Sequence, residues 1–518
     1  MARKVIIGSR GSDLALWQAH FTRRQLEELG HPVEIVIIKT KGDQIQHLSF
    51  DKIEGKGFFT KELEEALLAG SIDLAVHSHK DLPTTFPPGL TIAGVSYRED
   101  CSESLLIAPE AYDPSQPLCL KQNARLGTSS FRRRSQLQSL RPDLEITDLR
   151  GNVPTRVEKL RQGNYDAIVL ASAGLNRLEL DLGEIHREVL APHIFIPAPA
   201  QGVLAFQIRE DDEDMRRIVA KIHHADVQEA IYAERAVLNR LDGGCLLPLG
   251  VYCQPHGQQF KLWASLQPLD GKPFRRIYLE GDHPETLAQK TLDVLTRSEN
   301  RKVFVSRDEE NASAFSEQLR GYGFQVEAYA PVRFEAIEVR HIPFTDWVFF
   351  SSPRSVEFFF QHDMQLPVHT QVAALGSGTA SALLELGIQP AFQGEDGETQ
   401  AVALQFLDKA IGKSILFPCA EKGLRSVQSV LEQKAEVHDL PVYRTLENES
   451  HPAIQADIWV MTSPSSVHAM KEQLPLSTAL FAAIGSTTAD ALKQVGAQQV
   501  HIAPFTTMKA LADLVCGM

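Results

Sequence analysis

The stretch IDLAVHSHKDLP, residues 72–83, decides how the N-terminal part of this chain is read. It opens as a short apolar run of the kind a buried strand shows, and Pro83 forbids continuation of either a strand or a helix. Between them stand His77, Ser78, His79, Lys80 and Asp81. A Lys–Asp pair in a turn is most simply a solvated ion pair. At the end of a buried strand it is also where a cleft holds a carboxylate as proton donor and as stabiliser of a developing cation.

Working outward, the same alternation recurs. VIIGS reads as a strand, Arg10 and Ser12 follow it, and a helix runs from about Ser12 to Leu29, where Gly30 stops it. EIVIIKT is a second strand and TKELEEALLAG a second helix. ARL precedes GTSSFRRR, in which Ser129 or Ser130 caps a helix whose first turn holds Arg132 and Arg133. LRGNVPTR supplies Arg150 and Arg156, with Asn152 as cap and Pro154 in the first turn, and DAIVLAS precedes AGLNR with Arg177. The alternation predicts α/β domains with mainly parallel sheets and helices on both faces. Ligands bind such sheets beyond the carboxyl ends of the strands, where these clusters fall. Residues 225–296 differ: the helix AERAVLNRL precedes the alternating runs QFKLWASLQ and FRRIYLEG, which predicts a small α+β domain.

With 518 residues the chain needs several domains. Its net charge of −14 argues against a nucleic-acid binder, yet the arginines crowd between Arg125 and Arg177, as handling a small polyanion requires. No apolar run is long enough to span a bilayer, the N-terminus has no signal-peptide core, and no metal-ligand spacing occurs. Six cysteines without a CxxC pair predict a reducing cytosol. Against that background LDGGCLLPLG, residues 241–250, sets Cys245 in a glycine- and proline-rich loop. The thiol is either inert and buried or an accessible thiolate for covalent attachment; no neighbouring histidine supplies a hydrolase base.

From about residue 301 the sequence repeats. FFSSPRSVEFF (349–359) matches VMTSPSSVHAM (460–470), and AALGSGTASALLELG (373–387) matches AAIGSTTADALKQVG (482–496). Ser352 and Ser463 lie 111 positions apart. Two α/β copies facing across a cleft are predicted, after a polar linker at 297–301.

Taken in order, RGSDLALWQAH, GKGFFTKELE, VHSHKDLP, GTSSFRRR, LRGNVPTR, ASAGLNRL, IPAPAQG and GGCLLPLG resemble porphobilinogen deaminase, also called hydroxymethylbilane synthase. The resemblance implies two periplasmic-binding-protein-like α/β domains, 1–98 completed by 197–220, and 99–196, followed by the α+β domain 221–296. It implies a dipyrromethane cofactor held through a thioether to Cys245, and Asp81 as the catalytic carboxylate that helps the amine of porphobilinogen depart and stabilises the electron-poor azafulvene. Lys80, Arg132, Arg133 and Ser129 match cofactor-binding positions. Arg10, Ser12, Arg150, Arg156 and Arg177 match positions that bind the substrate's acetate and propionate groups, and Lys52 and Lys56 lie in a loop that looks like the family's lid. His79 stands where methionine or leucine is frequent. Ala200 stands where glycine is usual, which restricts the hinge backbone.

Residues 301–518 resemble uroporphyrinogen-III synthase through FFSSPRSV, AALGSGTA, LPVYRT, MTSPSSV and AAIGSTTA. That implies two flavodoxin-like α/β domains, 302–331 with 445–518 and 332–444, joined by a two-stranded linker from PVRFEAIE and PVYRTLENE. Tyr443 matches a cleft tyrosine that aids loss of the hydroxyl from hydroxymethylbilane, and Ser352, Ser463, Thr487 and Thr488 match carboxylate-contacting loops or serve simply as helix caps. SRDEE, with Arg307, stands where TRP is usual. The combined expectation is a monomeric cytoplasmic bifunctional enzyme without nucleic-acid or membrane partners. The rival readings are a non-catalytic small-anion binder and a deaminase with an inactive C-terminal half.

Overall fold

The computed structural model describes residues 3–40, 60–241, 247–268, 273–361, 366, 369–394, 399–423 and 425–518. Lys52, Lys56 and Cys245 therefore lie outside the described residues. The chain divides into two compact units that meet in sequence between Arg297 and Ser298.

In the first unit, one sheet runs in the order Val33–Ile37, Val5–Ser9, Leu74–Ser78, Leu204–Arg209, Leu90–Val95. The first three strands are parallel, whereas Leu204–Arg209 runs antiparallel to both neighbours. A second sheet runs Glu145–Thr147, Arg125–Gly127, Ala167–Ala171, Glu103–Ile107, His186–Leu190, and here Glu103–Ile107 is the strand antiparallel to both neighbours. Each sheet is thus mixed: four strands run in one direction, as the alternation predicts, and one runs against them. The chain leaves the first sheet after Val95 and returns at Leu204, so the strands entered from each crossing run against the others. Ile7, Val76 and Phe206 fill one core, and Leu105, Leu126 and Ile168 fill the other.

The alternating runs after residue 248 form the antiparallel sheet Leu249–His256, Gln259–Leu266, Arg275–Gly281. It packs against the helices Ala225–Arg240 and Pro284–Thr296, the α+β arrangement expected. Among the described residues no helix is long and apolar enough to cross a membrane.

The second unit contains a fully parallel sheet, Gln325–Ala328, Lys302–Val305, Ile458–Met461, Leu480–Ala483, Val500–Ile502. Its other sheet is Val332–Ala336, Glu436–Glu447, Ser414–Ala420, Trp347–Phe350, Gln371–Ala374, Phe392–Gln393. Val332–Ala336 pairs antiparallel with residues 443–447, the two segments from which a linker ribbon was expected. The repeat is visible in the backbone: Ser352 and Ser463 cap equivalent helices at (φ, ψ) of (−161°, 155°) and (−162°, 155°).

The two crossings between the first unit's sheets lie against each other. Glu99 N–H donates to the Gly202 carbonyl at 3.1 Å and Arg98 Nε to the Gln201 carbonyl at 3.1 Å. A Cβ on Gly202 would overlap the Glu99 carbonyl oxygen, so only glycine allows this approach. Beside it Ala200, fully buried, adopts φ of +60°, and its N–H donates to Glu234 Oε2 at 2.6 Å. A left-handed alanine costs about 1–2 kcal/mol, partly offset by its lower unfolded-chain entropy relative to glycine. Ala200→Gly is therefore expected to raise the thermal midpoint of the first unit slightly, by about 0.5 kcal/mol of stability. Ala200→Val should lower it sharply. A lower midpoint for Ala200→Gly would contradict this account of the hinge.

Candidate functional site

The site of the first unit is built at sheet edges. Leu74–Ser78 ends at Ser78, which Gln18 Nε2 from the helix Asp13–Glu28 holds at 2.8 Å, and a single 3₁₀ turn carries His79, Lys80 and Asp81. Asp81 is exposed at the mouth; Lys80 is half-buried, with Nζ donating to Gln201 Oε1 at 3.1 Å. Gln201 is itself fully buried and anchored through Nε2 to the Cys101 carbonyl at 2.9 Å. Burial pushes the Lys80 ammonium down to about 8; Arg133 and Arg132 push the same way, while Asp81 and Glu103 oppose them.

The helix Phe131–Leu140 begins at Ser130, whose side chain accepts from Arg133 N–H, so Ser130 is the cap. Ser129 Oγ instead donates to the Leu149 carbonyl at 3.0 Å and accepts from Leu149 N–H at 3.1 Å. Its proton is spent on fixing the loop before Arg150. Arg132 and Arg133 are buried and share one carboxylate: Arg132 reaches Glu103 Oε1 at 2.5 Å and Arg133 reaches Oε2 at 2.7 Å. Burial alone would raise the Glu103 carboxyl, but Arg133 and Arg132 bring it down to about 2. Two cations over one anion leave a positive charge, and Arg133 Nε has no hydrogen-bond partner among the described residues.

Arg156, in the helix Val153–Arg161 capped by Asn152, donates through Nε to the Gly151 carbonyl at 2.7 Å. Burial pushes its guanidinium down to about 10, Arg133 and Arg150 add repulsion, and Asp81 pulls the other way. Lys80, Asp81, Arg132, Arg133, Arg150 and Arg156 thus form one electrostatic cluster, with Asp81 its exposed acid. Arg10 follows the first strand and its charge reaches His77. Ser12 caps its helix by accepting from Ala15 N–H at 3.4 Å. Arg177 stands apart from the cluster, donating to the Gly202 carbonyl at 2.7 Å and lying 5.5 Å from the Trp17 ring centre, with Nε unpartnered among the described residues.

Sequence reading missed three residues here. Glu103, an acid leading the apolar strand ESLLI, and Gln201, inside the quoted PAPAQG, both left a signal. Arg235 lay unnoticed in AERAVLNRL; it donates to the carbonyls of His79 at 3.1 Å and Pro83 at 2.6 Å, bracing the Lys80–Asp81 turn.

In the second unit Tyr443 is half-buried, stacked on Phe358 with ring centres 5.2 Å apart. Burial raises its hydroxyl, against Arg354 and a hydrogen bond with Ser352. Ser352 and Ser463 cap their helices, each accepting at 3.1 Å. Thr487 is exposed but Thr488 is 1% exposed and turned into the core. Arg354, missed within FFSSPRSV, lies over the Phe334 ring and feels the charge of Tyr443, and Arg307 feels that of Arg354.

Three family models match the chain. Residues 5–217 match porphobilinogen deaminase, dipyromethane cofactor binding domain; residues 228–296 match porphobilinogen deaminase, C-terminal domain; residues 313–513 match uroporphyrinogen-III synthase HemD. A porphobilinogen deaminase of Desulfitobacterium hafniense is 43% identical over 293 residues, covering 56% of this chain and 93% of the relative. One of Oceanobacillus iheyensis is 41% identical over 310 residues, covering 60% and 98%. The solved uroporphyrinogen-III synthetase of Helicobacter pylori overlaps 42% of this chain and 98% of its own at 17% identity, with a TM-score of 0.33.

In ¹³C-methyl-lysine spectra of the intact chain, Lys80 is expected to titrate near pH 8, while unperturbed lysines titrate near about 10.4. Because the Asp81 carboxylate favours the charged ammonium, Asp81→Asn should move that midpoint lower. A midpoint that stays or rises would show that the two groups do not act on each other.

Proposed function

The chain belongs to the porphobilinogen deaminase family and carries a uroporphyrinogen-III synthase domain after it; on that premise we propose how its own residues divide the work. It is a bifunctional enzyme of tetrapyrrole biosynthesis. The first unit joins four porphobilinogens into hydroxymethylbilane with release of ammonia, and the second closes that chain with inversion of the last ring. The observation that carries the first assignment is the exposed carboxylate of Asp81 beside the cations of Lys80, Arg132, Arg133 and Arg156.

The cluster suits a dipyrromethane. A polycarboxylate needs fixed donors, and the guanidinium of Arg133, whose Nε is buried with no hydrogen-bond partner among the described residues, is already oriented and desolvated. Lys80, Arg132 and Arg133 would hold its carboxylates, with Cys245 as the anchor. Once attached, it supplies the nucleophilic pyrrole carbon from which the chain grows. Arg10, Arg150, Arg156 and Arg177 take the acetate and propionate groups of incoming substrate, assisted by Ser12 and by Lys52 and Lys56. Ser129 acts by holding the Arg150 loop. In its protonated form Asp81 gives its proton to the departing amine. The carboxylate so formed faces the cation left on the substrate, and it recovers a proton from the pyrrole α-carbon after the new bond has formed. That cation exists only along the reaction, so the contact lowers the barrier rather than merely tightening binding.

In the second unit Tyr443 donates its proton to the departing hydroxyl. Its raised ionisation keeps that proton in place at neutral pH. Arg354, Arg307, Ser352, Ser463 and Thr487 meet the carboxylates; Thr488 supports them from the core. We assign 1–98 with 197–220, 99–196 and 221–296 as the deaminase domains, and 302–331 with 445–518 and 332–444 as those of the synthase. The first pair follows the periplasmic-binding-protein-like pattern and the last pair the flavodoxin-like one. The protein works as a cytoplasmic monomer.

Asp81→Asn should cut porphobilinogen consumption about 10²–10³-fold, the scale of losing one transition-state electrostatic partner. Tyr443→Phe should leave that consumption intact while the product shifts from the III isomer to the I isomer that forms by spontaneous closure. Separating the isomers by chromatography checks both, and wild-type chain yielding only the I isomer would overturn the second assignment.

A further inference from the structure

A cavity of about 570 Å³ opens in the first unit between the strand Leu90–Val95 and the helix Ala225–Arg240. None of Lys80, Asp81, Arg132, Arg133 or Arg156 lines it, so it is separate from the deaminase cluster. Its size falls within the range of small-molecule sites. Phe86, Ile92 and Ile231 give it apolar walls. Arg235 and Arg240 add cations, and among the described residues no acidic side chain lines it. Glu285 meets Arg240 at 3.4 Å from a side chain 69% exposed, which neutralises little of the Arg240 charge.

Two histidines complete the lining. Val95 N–H donates to His223 Nδ1 at 3.2 Å, which places the proton of the neutral His223 ring on Nε2. His79 is 4% exposed, and its Nδ1 is buried with no hydrogen-bond partner among the described residues. An unmet polar atom at such burial is costly unless something satisfies it. The deaminase reading uses neither histidine.

We propose that this cavity binds a small aromatic carboxylate, its ring against the Phe86–Ile231 wall and its carboxylate at Arg235 and the histidines, and that its occupancy slows the deaminase. The coupling follows from Arg235. Its guanidinium donates to the carbonyls of His79 at 3.1 Å, Leu82 at 3.4 Å and Pro83 at 2.6 Å, which flank Lys80 and Asp81. A hydrogen bond to a carboxylate is roughly twice as strong as one to a neutral carbonyl. A carboxylate ligand therefore draws the guanidinium from the turn and loosens the placement of both reactive side chains.

The test uses 1-naphthylacetate as probe and the intact, cofactor-loaded chain. Isothermal titration is expected to give submillimolar binding to wild type. Ala236→Trp, which fills the cavity, should weaken it at least tenfold, and Asn239→Trp at the rim serves should the first variant fail to fold. In porphobilinogen assays the probe should lower kcat at least twofold with KM unchanged, and should do nothing to the filled variant. The proposal falls if wild type shows no binding, if both tryptophan variants bind as wild type does, if bound probe leaves kcat unchanged, or if the probe raises KM by occupying the cleft. The titration does not depend on the deaminase assignment: a chain that binds the probe but consumes no porphobilinogen would fault that assignment and leave the cavity in place.

Discussion

One carboxylate between two guanidinium groups organises the first unit. Arg132 and Arg133 are too buried to stand unpaired, and Glu103, itself fully buried, faces both at hydrogen-bond distance. Removing it would leave two buried cations uncompensated, a loss of about 3–5 kcal/mol for breaking such a pair. Its presence does not silence the site, because one negative charge cannot cancel two positive ones. The excess, added to Lys80, Arg150 and Arg156, gives a concentrated cationic field in a protein whose net charge is −14. Substrate carboxylates meet donors whose desolvation and orientation the fold has already supplied, as preorganised electrostatic catalysis requires.

That carboxylate reaches the site because of strand direction. Glu103 pairs with Ala171 across an antiparallel ladder, so the amino end of its strand lies beside the carboxyl ends of the parallel strands. Leu204 pairs with Ser78 in the same sense, which brings Gln201 to Lys80. The chain crossings that make the sheets mixed thus also deliver two of the site's positioning residues. Glu234 ties the crossings to the small domain: it takes Arg98 at 2.7 Å, Ala200 N–H at 2.6 Å and Cys253 N–H at 2.8 Å.

Much of this was legible in sequence. Apolar runs closed by Gly and Pro located the strands and helices, and the clusters after VIIGS, IDLAVHS, ARL and DAIVLAS fell at strand ends. The repeat after residue 301 announced two like sheets. What the pattern could not carry was direction. Alternation of strand and helix reads as parallel and points to the carboxyl ends of strands, whereas Glu103 and Gln201 stand at the amino ends of Glu103–Ile107 and Leu204–Arg209. Side-chain commitments were equally hidden: Ser129 and Ser130 are interchangeable as cap letters, yet only Ser130 caps. Thr487 and Thr488 are adjacent, yet helix phase exposes one and buries the other. Arg354 was legible as a residue but not as a partner of Tyr443, since strand and helix had first to be packed.

The cationic field has a purpose only if a polycarboxylate is held in it through several additions. The most direct measurement is the intact mass of the chain after incubation with porphobilinogen, beside a Cys245→Ser variant treated alike. The account predicts a wild-type excess equal to two linked porphobilinogen-derived pyrroles and none in the variant. An unmodified wild-type chain, or the same excess in the variant, would contradict it.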